Sequence, residues 1–144
     1  MNQAGSCGRR ILLVDDDPGV REVVGFVLGL DHHRVVEARN GKEALGRFER
    51  ETFDLVITDY AMPEMNGQEL ASNLRRLKQE QRILMISGHA NLMPQVGRDV
   101  DLLLGKPFSI QGLRQAIETV LQKAIQARGE RSPGSDSSSS AAEI

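Results

Sequence analysis

"DLVITDYAMPEMNG", residues 54–67, decides how the rest of the chain is read. A short apolar run, Leu55 to Thr58, ends on an acid, Asp59, and breaks at once into a turn carrying Met62-Pro63 and Asn66-Gly67. Hydrophobicity that is continuous rather than alternating marks a strand covered on both faces. Four more runs of this kind recur: "RILLVD" (10–15), "RVVEA" (34–38), "RILMIS" (82–87) and "DLLLG" (101–105). A strand that merely stopped would do as well with Ser or Asn in place of Asp59. What the other strands end on therefore matters.

The segments between these runs have helical spacing. Val20, Val23, Val24, Val27 and Leu28 fall on one face, and Leu113, Ala116, Ile117, Val120, Leu121, Ala124 and Ile125 make a longer stripe. Leu70, Leu74 and Leu77 mark a third helix after the Asn66-Gly67 turn, a dipeptide that permits positive φ. Asp17 before Pro18 predicts an N-cap with proline at the first helical position. Asn40, three residues before Glu43, predicts a variant capping box. Gly88, Pro94 and Gly97 leave room for about two helical turns over 89–100. A strand–helix unit repeated five times, with right-handed crossovers, predicts a doubly wound α/β domain over 9–127. Residues 1–8 are expected to be a flexible arm. Residues 128–144, with "GERSPGSDSSSSAAEI" at 129–144, are too Ser-rich to bury a core and are expected to be disordered.

Composition sets limits on function. The chain has 144 residues, 40% hydrophobic and 26% charged, with a net charge of -2, which fits one domain with a real core. It has no basic run for a nucleic-acid surface. It has no apolar stretch near the roughly 18 residues of a membrane span, and no signal-peptide core. A cytoplasmic protein is the expectation. The single cysteine, Cys7, excludes an intrachain disulfide. His32 and His33 are expected to be solvated, as is His89 in its loop. No Gly-rich phosphate loop follows the first strand.

In an open parallel sheet, ligands sit beyond the carboxyl ends of the strands. Here the first strand delivers Asp15, Asp16 and Asp17, the third Asp59, the fourth Ser87, and the fifth Lys106-Pro107. Crowded carboxylates raise one another's pKa unless a cation relieves them. A hard dication such as Mg²⁺, taking carboxylate, carbonyl and water oxygens, suits this set. A lysine beside it suits one oxygen of a phosphoryl group, and a serine hydroxyl can donate to another.

"ILLVDDDPGVRE", "DLVITDYAMPEMNG", "ILMISG" and "KPF", in that order, resemble the receiver domain of two-component response regulators over about residues 9–127. The resemblance implies a flavodoxin-like, five-stranded parallel sheet of order 2-1-3-4-5. It implies a stand-alone, chemotaxis-receiver-like switch that modifies only itself and acts on a downstream protein. Asp59 would accept a phosphoryl group from a sensor histidine kinase or a histidine phosphotransfer protein. Mg²⁺ would be held by Asp16 directly, by Asp15 through water, by Asp59 and by the Ala61 carbonyl. Asp17 is better suited to capping the helix. Lys106 would pair with Asp59 and then with the phosphoryl group, aimed by a cis Pro107, and Ser87 would be the switch hydroxyl.

Three positions depart from the family pattern. Leu103 stands where an aromatic residue is usual, the interval from Ser87 to Lys106 is short, and Ala61 offers no side chain to orient an attacking water. The last predicts a comparatively long-lived acyl phosphate. Two other functions compete. A haloacid-dehalogenase-type phosphatase would use Asp15 and Asp17, but Gly19 stands where Thr or Val is expected, a late acidic pair is missing and there is no room for a cap. A receiver-like scaffold that binds without phosphorylation is the other.

Overall fold

The computed structural model describes residues 8–88 and 99–131. The expectations for the arm before Gly8, for His89 and the rest of segment 89–98, and for the tail beyond Arg131 lie outside the described residues, as do the side chains of Ala124 and Ile125.

Five parallel strands, β1 (Arg10–Val14), β2 (Arg34–Ala38), β3 (Leu55–Asp59), β4 (Ile83–Ser87) and β5 (Leu102–Gly105), form one sheet in the order β2-β1-β3-β4-β5. The helices are α1 (Pro18–Leu30), α2 (Gly41–Arg50), α3 (Gly67–Leu77) and α4 (Ile110–Arg131). The backbone of α4 runs past residue 127, where the sequence placed the end of the folded part.

Alternate side chains of a strand point to opposite faces, and the core divides accordingly. Ile11, Leu13, Leu55, Ile57, Leu84 and Ile86 pack against Val24, Val27 and Leu28 of α1 and Leu113, Ile117 and Val120 of α4. Leu12, Val14, Val56, Ile83 and Met85 pack on the other face against Ala44 of α2 and Leu70, Ala71 and Leu74 of α3. Both faces of β1, β3 and β4 are thus dry, which is why these runs lack alternation. Each Leu or Ile buried in this way contributes about 1.5–3 kcal/mol. The edge strand β2 differs, since Arg34 and Glu37 are exposed.

Two stripes are narrower than their spacing predicts. Val23 is 56% exposed and Leu77 57% exposed, because each lies at the rim of its helix face, beyond the reach of the sheet. The helix starts follow the caps. Asp17 accepts a hydrogen bond from Gly19 N at 2.8 Å. Asn40 accepts from Glu43 N at 2.8 Å, while Glu43 reaches back to Arg39 N, one residue before the usual box position. Asn66 and Glu69 form a full reciprocal box, both bonds at 2.9 Å.

The turn after β3 corrects one expectation. Asn66 has φ −79°, so the left-handed residue is Glu64, at φ 72°. Gly67 is needed for a different reason. A Cβ there would collide with the Asp59 carbonyl oxygen and lie 3.0 Å from Tyr60 Cα. The histidines also differ from expectation. His32 is exposed, but His33 is buried and accepts a hydrogen bond from Arg9 N at 3.0 Å through Nδ1. The short link from α1 brings it beside Arg9, just before β1.

The entry to β5 is pinned from outside the strand. The Asp101 carboxylate accepts from Ile83 N at 2.8 Å and pairs with Arg82 at 3.3 Å and Arg75 at 3.5 Å. Arg75 also holds the Asp99 carbonyl at 2.7 Å. These bonds fix β5 alongside β4, and with it the position of Lys106 at the far end.

Candidate functional site

Four strands deliver their last residues to one rim. Asp15 follows β1, Asp59 and Ser87 end β3 and β4, and Lys106 follows β5. In register, Asp59 lies opposite Ile86 and Ser87 opposite Gly105, and Lys106 N donates to Ser87 O at 2.8 Å. Lys106 Nζ crosses the end of β4 to reach Asp59 Oδ1 at 3.0 Å. The Lys106-Pro107 peptide is cis.

Asp15, Asp16 and Asp59 each turn a carboxylate oxygen into a space where these atoms all lie within 4.8 Å of one another. Asp15 and Asp59 are buried and Asp16 is exposed, so the nest has dry walls and one wet side. Asp17 is occupied at the α1 N-cap, and its backbone N–H donates to Asp15 Oδ1 at 2.9 Å. Ser87 is buried at the end of β4. Ala61 is exposed in the loop directly beyond Asp59 and Tyr60. Leu103 is half-buried against the α2–α3 face of the core.

The charges in this nest oppose one another. Burial, with Asp59 and Asp16 adding repulsion, pushes Asp15 up from its ordinary 3.8 to about 6, against the Asp17 hydrogen bond and the Lys106 charge. Burial works against the charge on Lys106, but the hydrogen bond and charge of Asp59, with Asp15 and Asp17 behind it, outweigh that effect and raise its pKa. One lysine against three carboxylates leaves an excess of negative charge on oxygen ligands. An all-oxygen donor set with excess charge fits a hard dication, because no soft sulfur or imidazole ligand is among it.

One residue of this rim carries no signal in the sequence. Arg21 on α1 donates from Nη1 to the Asp15 carbonyl at 2.7 Å and from Nε to Glu37 Oε1 at 3.0 Å. A charged residue on the first turns of a helix reads as solvated. Its partners become visible only once β2 lies beside β1.

A doubly wound parallel sheet with an acidic nest and a lysine at the carboxyl ends of its strands defines an α/β domain with a charged site at its sheet rim. Residues 11–118 match the response regulator receiver domain, and the chain belongs to that family. Receiver domains act as phosphoacceptor signalling switches. The chain is 35% identical over 117 residues to the response regulator receiver protein CpdR of Brucella abortus, covering 78% of this chain and 97% of that protein. It is 34% identical over 124 residues to the transcriptional regulatory protein GlrR of Escherichia coli, covering 84% of this chain but only 28% of that longer relative. The response regulator TrrA of Thermotoga maritima, solved in complex with Mg²⁺-BeF, superposes with a TM-score of 0.74 at 31% identity, covering 78% of this chain and 99% of that one. No helix among the described residues is long and apolar enough to cross a membrane.

Proposed function

We propose that this receiver, taken as residues 9–127, accepts a phosphoryl group on Asp59 in a Mg²⁺-dependent reaction and so switches contacts with a downstream protein. The observation that carries it is Asp59 itself, a carboxylate only 6% exposed, set among acids and held 3.0 Å from Lys106.

In the reaction, an Asp59 carboxylate oxygen attacks the phosphorus of a phosphohistidine on a sensor histidine kinase or histidine phosphotransfer protein. The new O–P bond forms as the P–N bond breaks, and the electron pair stays on the imidazole nitrogen, which takes a proton from solvent. Such transfers pass through a loose transition state, so the protein's task is positioning and charge neutralisation. Mg²⁺, held by Asp16, Asp59, the Ala61 carbonyl and, through water, Asp15, would offset charge on the phosphoryl oxygens. The Mg²⁺-BeF complex of TrrA supports that choice of metal. Lys106 moves from Asp59 to a phosphoryl oxygen, and the Ser87 hydroxyl donates to another.

The donor's approach has one apolar side. Val20, Val23 and Phe108 line a groove of about 620 Å³ that Lys106 and Asp17 join to the rim. A protein presenting phosphohistidine to Asp59 can seat an apolar helix there. A donor charged from a nucleoside triphosphate fits a cytoplasmic setting.

Intact mass after acetyl phosphate treatment, with and without Mg²⁺, tests the proposal. One added phosphoryl that needs Mg²⁺ and disappears in Asp59→Ala is expected. No adduct under any condition would leave a receiver-like scaffold, and turnover of a generic phosphomonoester would point to a phosphatase.

A further inference from the structure

Arg21 is placed where it can govern the metal site without touching it. Asp15 is gripped at three points. Its N–H donates to Ala38 O of β2 at 3.1 Å, its side chain accepts from Asp17 N at 2.9 Å, and its carbonyl accepts from Arg21 at 2.7 Å. That carbonyl shares a planar peptide with the Asp16 nitrogen. Fixing the carbonyl therefore fixes the plane from which Asp16 departs. Asp16 is the exposed member of the acidic set.

The guanidinium is suited to this hold. Arg21 is 14% exposed, and its Nη1 and Nε point to two different partners, the Asp15 carbonyl and Glu37 on β2. An ammonium on a flexible stem has no such fork. Glu37, 51% exposed, pairs with the guanidinium at 3.0 Å and anchors it to the strand that pairs with β1.

We propose that Arg21, braced by Glu37, is a positioning residue that holds the Asp15–Asp16 peptide in its cation-binding orientation. The inference rests on Mg²⁺ binding by the acidic nest. It has a distinctive sign. By Coulomb's law alone, removing a cation near the nest tightens the binding of a dication. Loss of the brace loosens it.

Mg²⁺ titration followed by the emission of Tyr60 tests this, since the chain has one tyrosine, no tryptophan, and Tyr60 adjoins Asp59. Removing a partner that orients a metal ligand costs roughly 10-fold or more in affinity. Arg21→Gln is expected to weaken Mg²⁺ binding by about that factor, and Glu37→Ala by less. The acetyl phosphate labelling rate at saturating Mg²⁺ should stay near wild type in both, so the change falls on half-saturation. Thermal unfolding in EDTA confirms that each variant is folded, and Arg21→Lys, which keeps the charge but not the fork and should also weaken binding, supplies a readout should Arg21→Gln unfold. Equal or tighter binding in a folded Arg21→Gln, or unchanged binding in Glu37→Ala, overturns the brace. A wild-type protein that fails to bind Mg²⁺ overturns the magnesium site itself, a separate result.

Discussion

Lys106 Nζ sits 3.0 Å from Asp59 Oδ1, although β3 and β5 do not pair and β4 lies between them. The contact exists because the lysine backbone is tied to Ser87 at the end of β4, and its side chain spans that strand's width. A single cation thus reaches the buried acid from two strands away. Its charge is also the one a metal ion would meet on that side of the nest.

Replacing the lysine should therefore separate two effects. In Lys106→Ala, Mg²⁺ binding tightens by on the order of 1 kcal/mol, roughly fivefold, because a like charge leaves the site. Labelling by acetyl phosphate slows, because a phosphoryl oxygen loses its counter-charge. Tyr60 fluorescence titration and intact mass read the two outcomes on one sample.

Asp15 makes the metal-free protein less stable at neutral pH. With its folded pKa raised to about 6 against an ordinary 3.8, the native state binds the extra proton, so stability falls as pH rises from about 4 to 6. Asp15→Asn keeps the acceptor for Asp17 N–H and should gain on the order of 2 kcal/mol at pH 7 in EDTA. Urea unfolding at pH 4.5 and 7 checks both the gain and the flattened slope. Saturating Mg²⁺ should remove most of the wild-type penalty.

His33 acts in the opposite sense. Burial lowers its pKa, and the Arg9 charge adds to that, against Asp31, Asp54 and Glu118. The unfolded chain therefore binds the proton first, and stability is lost as pH falls through and below about 6.5. His33→Gln, which can still accept from Arg9 N, should be less sensitive over pH 5–7 in the same unfolding measurement.

The glycines divide by what surrounds them. Gly67→Ala forces a methyl against the Asp59 carbonyl and should cost about 2–4 kcal/mol while depressing labelling at Asp59. Gly46→Ala, mid-helix in α2 with nothing within 4 Å, should stabilise by about 0.5–1 kcal/mol and leave labelling untouched. Paired thermal unfolding and mass spectrometry distinguish them.

Relief of backbone strain gives a further check. Glu64 holds φ 72° in the loop after Asp59, a region that costs a non-glycine residue about 1 kcal/mol. Glu64→Gly should be neutral or slightly stabilising in denaturant unfolding, and Glu64→Val clearly destabilising.

The strands, their order in the chain and the rim they share were legible in the residues. A buried parallel strand must be apolar on both faces, and its last residue must meet solvent or a ligand. Asp15, Asp16, Asp59, Ser87 and Lys106 could therefore be picked out singly, and the structure brings them to one edge. Asp17 was legible too, because Pro18 after it marks a helix start. Less was legible where a residue's partner lies far along the chain. Nothing local distinguishes Arg21 from a solvated arginine, or His33 from the exposed His32 beside it. Val23 and Leu77 carry the right spacing, but the width of a helix's buried face depends on how close the sheet comes. Gly67 was assigned to the right turn for the wrong reason, since close approach to Asp59 O depends on how the loop returns.

The chain's own pattern determined which segments become strands and helices, because apolar periodicity and capping act over a few residues. It also determined that acids and a lysine would stand at strand ends. Only the tertiary structure decided which of those ends meet: the lysine's reach across β4, the brace from α1 to β2, the collision reserved for Gly67. Those depend on sheet order and register, which arise from contacts between distant residues and set distances to within an ångström.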